Sequence, residues 1–329
     1  MFYEELSEGI LHCFLCNHHC RIPEDKFGFC GVRQHMEGKL FTYAYGDIIA
    51  SHIDPIEKKP LYHFLPGSRS YSIATIGCNF RCSFCQNWQI SQLSVKKGDS
   101  TGYNARPEDV VQAALGSGCK SISYTYTEPT IFFEYAYDIS RLAKKEGLHN
   151  VFVTNGYMTE DALRTIHPFL DAANVDLKSF RDEFYKKICH GSLQPVLESI
   201  KLMKKLNIWV EVTTLIVPGE NDSEEELNDI AAFIAETGKE IPWHISRFHP
   251  DYKFNTYQST SLGVLRRAKE IGENHDLRYI YMGNVNEESD TYCYNCKALL
   301  TRRNYFIVEE SHVKWGKCEF CASPIEGYW

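Results

Sequence analysis

An alternation of strand-like and helix-like runs, from residue 71 to about residue 285, constrains the fold more than any other feature of the sequence. Short apolar and β-branched runs predict strands at Ser72–Ile76, Ser121–Thr127, Val151–Thr154, Ala173–Leu177, Trp209–Ile216, His244–Phe248 and Arg278–Met282. Between them, apolar spacing predicts helices at Arg106–Leu115, Thr130–Lys145, Thr159–His167, Pro195–Leu206, Ser223–Glu236 and Ser261–Glu273. Strands that alternate with helices over short connections pair in parallel. The pattern therefore predicts an α/β fold of six to seven units, short of a complete eight-fold barrel.

The composition indicates a globular chain with a full core. Of its 329 residues, 43% are hydrophobic, which suits one barrel-sized domain with small modules beside it. The net charge of −8 argues against bulk binding to nucleic acid or to an anionic membrane, although one local basic patch remains compatible with it. The acidic start, Met1–Leu6, lacks the apolar run of a signal peptide, and no run reaches the roughly 20 residues of a membrane helix. We therefore expect a cytoplasmic protein without a membrane partner.

Thirteen cysteines in such a chain indicate metal sites in a reducing compartment more than disulfides. Eleven of them fall in three clusters, and Cys119 and Cys189 stand alone. We interpret these two as small buried hydrophobes rather than as nucleophiles.

The middle cluster is a loop trio, Cys78, Cys82 and Cys85, with the spacing C-x3-C-x2-C after the first predicted strand. Thiolate is the usual ligand of iron–sulfur clusters, so three of them this close predict a [4Fe–4S] cluster with three irons held by the protein. The fourth iron would stay open, as the working position of a catalytic metal does. Structural zinc is the alternative, but it normally takes four protein ligands, and no fourth cysteine is near.

The first cluster, which we call the N-terminal tetrad, consists of Cys13, Cys16, Cys20 and Cys30, spaced C-x2-C-x3-C-x9-C. Four soft ligands within 18 residues predict either a tetrahedral zinc site or an auxiliary iron–sulfur cluster. Either His18 or His19 could replace one cysteine, and plain buried thiols are the third alternative.

The last cluster, which we call the terminal tetrad, consists of Cys293, Cys296, Cys318 and Cys321, two C-x2-C knuckles with 21 residues between them. Two intact knuckles resemble a zinc ribbon and predict structural zinc, with an iron–sulfur cluster or no metal as the alternatives. Metal binding would supply folding free energy to a segment too short to fold alone.

Residues 38–70 separate the first cluster from the predicted barrel. Leu40–Ala44 and Asp47–Ile53 predict the two strands of a hairpin, and the prolines and mixed charges that follow predict an ordered loop lying on the barrel. The chain divides accordingly into an N-terminal cysteine-rich module (1–37), a bridging segment packed on the barrel (38–70), the barrel (71–288) and a zinc-ribbon-like module (289–329).

The loop trio, with the aromatic Phe84 before its third cysteine, resembles the signature of radical S-adenosylmethionine (SAM) enzymes. That resemblance implies an open partial (βα)6 barrel, flanked here by the two cysteine-rich modules. It also implies that the amino and carboxylate groups of SAM bind the open iron of the [4Fe–4S] cluster. In that superfamily a reduced cluster cleaves SAM to methionine and a 5′-deoxyadenosyl radical, which abstracts hydrogen from a substrate.

Polar residues follow several predicted strands, where parallel α/β folds collect catalytic groups. Their order resembles that in activating enzymes of glycyl radical proteins, such as the pyruvate formate-lyase activator. In those enzymes a Gly-Gly-Glu segment binds the SAM amino group; this chain keeps Glu128-Pro129 but not the glycines. Asp-Leu-Lys is intact and implies that Lys178 meets the SAM carboxylate. The resemblance implies these SAM-binding residues: Glu128, Thr154, Asn155, Asp176, Lys178 and His244.

Alternatives exist for each of these residues. Glu128 could be a surface carboxylate, Asp176 and Lys178 a mere ion pair, and His244 a core histidine. The activators carry an Asp before Thr-Asn-Gly where this chain has Val153, so the carboxylate of any cation site there is missing.

The flanking cysteines, the segment Pro55–Leu61 and the loop trio together resemble a narrower group, the radical SAM enzymes of the AmmeMemoRadiSam system. The resemblance to the activators implies a reductant such as flavodoxin or ferredoxin and a protein substrate, and the narrower resemblance implies Memo-like or AMMECR-like partners. A metal-stapled interaction module without turnover is one competing function. A radical RNA-modifying enzyme is another, and the acidic balance makes nucleic acid an unlikely partner.

Overall fold

A computed structural model describes residues 1–6, 9–93 and 102–329. Its centre is an eight-stranded sheet in which the strands follow each other in chain order. The strands are β1 (Ala50–Pro55), β2 (Arg69–Ala74), β3 (Ser121–Tyr124), β4 (His149–Thr154), β5 (Ala172–Asp176), β6 (Trp209–Ile216), β7 (Trp243–Arg247) and β8 (Ile280–Gly283). Strands β2 to β8 pair in parallel, and β1 pairs antiparallel to β2. Because β1 and β8 are both edges, the sheet is open rather than closed into a barrel.

In the part of the chain that the structure describes, helices of seven residues or more connect the parallel strands. They are α1 (Pro107–Gly116), α2 (Phe133–Lys145), α3 (Glu160–Ile166), α4 (Gln194–Lys205), α5 (Glu224–Thr237) and α6 (Leu262–Asn274). The hydroxyls of Thr159, Ser223 and Ser261 accept backbone N–H bonds in the first turns of α3, α5 and α6, which explains where these helices begin. The predicted α/β fold with a parallel core sheet is confirmed.

The two faces of the sheet differ in chemistry. On one face Tyr124 and Phe152 are fully buried, and their ring centroids lie 5.3 Å apart. On the other face Ser121 Oγ donates to Ser70 Oγ at 2.9 Å, and the hydroxyls of Ser70 and Ser123 lie 2.5 Å apart. Parallel sheets usually bury apolar side chains on both faces, so this polar face marks the side on which a ligand site can lie.

The segment before the sheet folds differently from the predicted hairpin. Arg33–Met36 pairs with Lys39–Thr42 across a turn at Glu37-Gly38, whose φ angles of 53° and 71° suit a two-residue hairpin connection. The predicted pairing of residues 40–44 with residues 47–53 is therefore wrong. Most of the first predicted run pairs instead with residues 33–36 across the tighter turn. Most of the second predicted run belongs to β1, the antiparallel edge strand of the main sheet.

Residues 60–63, with Glu211 and His244, form a buried group that we call the polar floor. The carboxylate of Glu211, on β6, accepts backbone N–H bonds from Tyr62 at 3.0 Å and from His63 at 2.8 Å. His244 Nε2, on β7, lies 2.6 Å from the same carboxylate. This buried carboxylate therefore fixes the segment that follows β1 against the polar face of the sheet.

Small sheets lie at both ends of the chain. Three antiparallel strands form the first one: Tyr3–Glu5, Leu11–Cys13 and Cys20–Ile22. The last residues form a three-stranded sheet and a two-stranded one: Thr291–Tyr292, Leu299–Asn304, Ile307–Ser311, then Val313–Lys314 with Lys317–Cys318.

Backbone and side-chain hydrogen bonds, among them one from the Tyr328 N–H to the His63 carbonyl at 2.7 Å, tie the terminal module to the polar floor. Arg303 donates to the carbonyl of Tyr62 at 2.8 Å, and His63 Nδ1 donates to the carbonyl of Glu326 at 2.8 Å. Among the described residues, none of the helices combines the length and the apolar character that crossing a bilayer requires.

Candidate active site

A cavity of about 520 Å³ lies at the carboxyl ends of the parallel strands. Side chains that follow β2, β3, β4 and β5 line it together, because parallel strands present their carboxyl ends at the same edge of a sheet. The lining includes most of the residues predicted for the site: Cys78, Cys82, Cys85, Glu128, Thr154, Asn155, Asp176 and Lys178.

The loop of the trio begins at Gly77, three residues after the end of β2. Gly77 has a φ of 95°, and a Cβ there would lie 2.7 Å from Val32 Cγ1 and 3.0 Å from the carbonyl oxygen of Cys30. Glycine is therefore required by both the backbone angle and the close approach of the N-terminal module. The Phe80 N–H donates to Cys78 Sγ at 3.3 Å, which helps to aim that sulfur.

The chemistry of this donor set fits a [4Fe–4S] cluster. Three sulfur side chains face one cavity, and among the described residues that line it there is no fourth cysteine. Burial raises the pKa of Cys78 and of Cys85, so neutral thiols are favoured unless a positive centre holds them as thiolates. The donor set thus provides three iron ligands and leaves one position for another molecule.

Asn79 and Asn155 brace this loop. Asn155 Nδ2 donates to Asn79 Oδ1 at 2.7 Å, and His18 Nε2 lies 2.6 Å from the Asn79 carbonyl. The loop is therefore fixed both by the strand end after β4 and by the N-terminal module. Sequence reasoning assigned no role to Asn79, and it named His18 only as a substitute ligand.

Cys189 lies beside the trio, although the sequence isolates it. Its carbonyl accepts the Arg81 N–H at 2.8 Å, and its thiol contacts that of Cys82. The hydrogen bond to Cys189, together with burial, raises the pKa of Cys82. Cys189 is fully buried, as the interpretation of a small hydrophobe requires, but it packs against Cys82, a predicted cluster ligand.

Glu128 is held by four donors within the cavity wall. Its Oε1 accepts from the Thr130 N–H at 3.0 Å, the Thr130 hydroxyl at 2.5 Å and the Thr154 hydroxyl at 2.8 Å. Among the described residues, its Oε2 accepts the Asn155 N–H alone, at 2.8 Å. Burial raises the pKa of Glu128 above its ordinary value, while these hydrogen bonds favour the carboxylate. The side chain is 2% exposed, so Glu128 is not a surface carboxylate.

Asp176 and Lys178 form an ion pair on the opposite wall, with Lys178 Nζ 2.8 Å from Asp176 Oδ2. Burial alone would lower the pKa of Lys178, but the Asp176 carboxylate and the nearby Cys82 raise it well above its ordinary value. The ammonium therefore stays charged, and within the described part of the chain Asp176 takes one of its three N–H bonds, which leaves two for other acceptors.

His244 does not lie in the cavity. It precedes Ser246 by two residues on β7, and Ser246 lines the cavity. Two residues along a strand share a face but lie about 6.6 Å apart, so His244 sits one level deeper, bonded to Glu211 in the polar floor. The structure thus places His244 with the core histidines.

Sequence reasoning missed a second lysine at the site. Lys59 lines the cavity, and its Nζ lies 2.5 Å from Asp54 and 4.9 Å from the ring centre of Tyr126. Burial lowers the pKa of Lys59 to about 8, although Asp54 opposes this shift. Lys59 belongs to the segment Pro55–Leu61, whose resemblance to the narrower group was the sign in the sequence that this region matters. The pairing of β1 with β2 brings this segment to the cavity.

The terminal tetrad is drawn together around a single point. The sulfur atoms of Cys293 and Cys321 lie 3.6 Å apart, those of Cys296 and Cys318 lie 3.7 Å apart, and all four lie within 4.8 Å of one another. Four sulfurs bound tetrahedrally at the Zn–S length of about 2.3 Å would lie about 3.8 Å apart. The arrangement fits one zinc-sized ion.

Known proteins give this geometry a context. The family model of the Radical SAM superfamily matches residues 72–234. An uncharacterised protein of Methanocaldococcus jannaschii is 45% identical over 332 residues, 99% of this chain and 98% of that protein. The pyruvate formate-lyase 1-activating enzyme of Escherichia coli K12 is 22% identical over 218 residues, 62% of this chain and 89% of that enzyme.

Solved structures share the fold at low identity. Streptococcus suis SuiB bound to its precursor peptide SuiA matches with a TM-score of 0.52 and 13% identity, over 70% of this chain and 51% of that chain. A radical SAM methyltransferase from Sphaerobacter thermophilus matches with a TM-score of 0.52 and 15% identity, over 67% of each chain. These likenesses concern the fold of the sheet and its helices.

Proposed function

The chain belongs to the radical SAM superfamily, and from that premise we propose that it is an enzyme that cleaves SAM reductively and abstracts hydrogen from a protein substrate. The observation that carries the proposal is one cavity that brings three cysteine sulfurs together with a buried carboxylate and a buried ammonium. Cys78, Cys82 and Cys85 would hold the [4Fe–4S] cluster. When bound, the reduced cluster and SAM supply methionine and a 5′-deoxyadenosyl radical, which takes a hydrogen atom from the substrate.

Glu128 would receive the amino group of SAM. Its Oε2 already accepts the Asn155 N–H and keeps further acceptor capacity, whereas its Oε1 is occupied by three donors. Thr130, Thr154 and Asn155 therefore orient the carboxylate before any ligand arrives. An orientation set in advance reduces the entropy lost on binding.

Lys178 would donate to the SAM carboxylate with the N–H bonds that Asp176 leaves unused. Lys59 offers a second ammonium on the wall formed by β1 and β2, and Asp54 holds it in place. The depth of His244 in the polar floor supports an indirect role only, through Glu211.

The proposal of a protein substrate is supported by a groove beside the cavity. A groove of about 970 Å³ adjoins it, and Asn284 lines both. Its walls include the basic side chains Arg247 and Arg266 and the exposed ring of Tyr305. SuiB, which shares the fold, was solved with a precursor peptide, and a segment of a protein chain would lie in this groove.

The test is an anaerobic assay of reconstituted protein with dithionite and SAM. We expect 5′-deoxyadenosine to form, and deuterium from a labelled partner protein to appear in it. If no 5′-deoxyadenosine forms, the SAM chemistry is contradicted. If label comes efficiently from a small metabolite instead, the protein substrate is contradicted and SAM cleavage stands.

Three finer expectations stay predictions. They are the assignment to the AmmeMemoRadiSam group with Memo-like or AMMECR-like partners, the use of flavodoxin or ferredoxin as reductant, and the cytoplasmic location. Pull-down of the native protein with a ferredoxin and with a Memo-like protein would test the partners directly.

A further inference from the structure

The sulfur atoms of the N-terminal tetrad surround a small buried cavity of about 20 Å³. We propose that Cys13, Cys16, Cys20 and Cys30 bind a second [4Fe–4S] cluster there. This proposal goes beyond the SAM chemistry, and it holds whether or not the loop trio cleaves SAM.

The spread of the sulfur atoms distinguishes this site from a zinc site. The four sulfur atoms of the terminal tetrad all lie within 4.8 Å of one another. Among the residues that the structure describes, the N-terminal tetrad does not form such a compact group. The loop trio, at the superfamily's cluster motif, does not converge in that way either. In a [4Fe–4S] cluster each thiolate binds a different iron, so the sulfurs stand around a volume instead of one point.

The cavity between the sulfurs is walled by apolar side chains. Leu15, Ile22 and Ile131 line it and are 1–2% exposed. Gly28 also lines it, and a Cβ at Gly28 would lie 3.2 Å from Ile22 Cδ1 and 3.8 Å from Cys20 Sγ. A space of more than about 10–15 Å³ holds a water-sized sphere, but an apolar wall offers water few partners. Sulfide and thiolate are soft, weakly hydrated ligands that suit such a wall.

Arg33 supplies an independent sign of an acceptor in this cavity. It lines the cavity and is 3% exposed. Both of its terminal nitrogens bind Glu134, yet its Nε has no hydrogen-bond partner among the described residues. A buried donor without a partner is unfavourable unless an acceptor is present. An anionic cluster with four thiolates would provide that acceptor, while Glu134 already balances the guanidinium charge.

The position of the tetrad places it next to the SAM cavity. Thr130 lines the N-terminal cavity and donates both its N–H and its hydroxyl to Glu128, which lines the SAM cavity. The carbonyl of Cys30 lies against Gly77, the residue before Cys78. One layer of residues therefore separates the two cysteine sites.

Metal and sulfide analysis of the anaerobically reconstituted full chain tests the proposal. Two clusters and one zinc site predict about eight irons, about eight sulfides and about one zinc per chain. The double variant Cys16→Ser/Cys20→Ser should keep about four irons, and Cys78→Ala/Cys82→Ala/Cys85→Ala should also keep about four. The matched control Cys119→Ser changes a buried cysteine outside all three clusters and should keep about eight.

Wild type with about four irons and two zincs would overturn the proposal, as would about four irons with one zinc. The wild-type count decides this even if the double variant fails to fold. A second readout is the electron paramagnetic resonance signal of the dithionite-reduced loop-trio variant. We expect a [4Fe–4S] signal that SAM does not alter, and its absence would contradict the second cluster.

Discussion

The N-terminal and terminal tetrads have four sulfur ligands each but hold them in opposite ways. In the N-terminal tetrad Cys13 and Cys20 are opposite partners on neighbouring antiparallel strands. In the terminal tetrad tight turns carry the pairs, as in the bond from the Lys297 N–H to the Cys293 carbonyl at 3.0 Å. The difference teaches that cysteine spacing alone does not set the arrangement of the sulfur atoms, which depends on the backbone that carries the cysteines.

The two tetrads also differ in their surroundings. Cys13 and Cys30 are buried next to the active-site loop, whereas Cys296 is exposed at the far end of the chain. Catalysis should therefore depend on the region of the loop trio and the N-terminal tetrad, and the terminal tetrad should affect mainly local folding.

The largest expected effect concerns catalysis at the loop trio. The variant Cys78→Ala/Cys82→Ala/Cys85→Ala should lose SAM cleavage completely, because the iron ligands are gone. Its zinc content should stay at about one per chain. Formation of 5′-deoxyadenosine is measured by chromatography, with Cys119→Ser as the control. Residual cleavage above a few per cent would contradict the assignment of the catalytic cluster.

Loss of the terminal metal should affect local folding strongly and catalysis weakly. Structural zinc contributes about 10–16 kcal/mol to small zinc-binding peptides, so Cys296→Ala should unfold residues 289–329. We expect rapid proteolysis within that segment and less than a tenfold loss of SAM cleavage. A wild-type pattern of proteolysis would mean that the apolar contacts of Leu300 and Ile325 hold the module without metal.

Weaker SAM binding is the next effect in size. Glu128→Gln removes the charge that we assign to the SAM ammonium, and breaking a buried charge pair costs about 3–5 kcal/mol. The dissociation constant for SAM should rise by about 100-fold or more, measured by titration of the reconstituted protein. Iron content should not change. The exposed Glu146→Gln is the control, and an unchanged affinity in Glu128→Gln would remove Glu128 from the site.

The smallest effect is a pH dependence at the polar floor. Burial lowers the pKa of His63 from 6.5 to about 4, so the folded protein keeps this imidazole neutral where the unfolded chain protonates it. The free energy of unfolding should therefore fall as pH falls from about 6.5 to about 4, by about 1–3 kcal/mol. His63→Gln should flatten that slope, and the exposed His249→Gln should not. Equal slopes in denaturant titrations of both variants would contradict this assignment.

Much of the fold could be predicted from the sequence, because each strand and helix carries its own periodicity. The strand β6 (Trp209–Ile216) has the predicted bounds, and the other predicted strands and helices differ by a few residues at their ends. The order of the parallel strands in the sheet follows their order in the chain. The carboxyl ends of consecutive strands therefore lie next to each other, as expected. Glu128 and Lys178, which follow two of the predicted strands, therefore both line the cavity, whereas their roles toward SAM stay a prediction from the family resemblance.

The features that the sequence could not predict depend on how deep a side chain lies in the sheet and on the pairing of segments that are distant in the chain. His244 lies deeper than the cavity along β7, where it is bonded to Glu211 on the neighbouring strand. A local sequence pattern cannot predict this contact. Lys59 reaches the cavity only because β1 joins the sheet edge. The separation of the sulfur atoms in the two tetrads likewise depends on strand pairing and turns.

The Mössbauer spectrum of fully ⁵⁷Fe-reconstituted wild type, recorded before and after addition of SAM, tests both cysteine regions in one experiment. SAM should change the signal of one iron in the loop-trio cluster and of none in the N-terminal cluster. With two clusters that is about one-eighth of the iron. A change in about one-quarter of the iron would mean a single cluster. No change at all would contradict SAM binding at Cys78, Cys82 and Cys85.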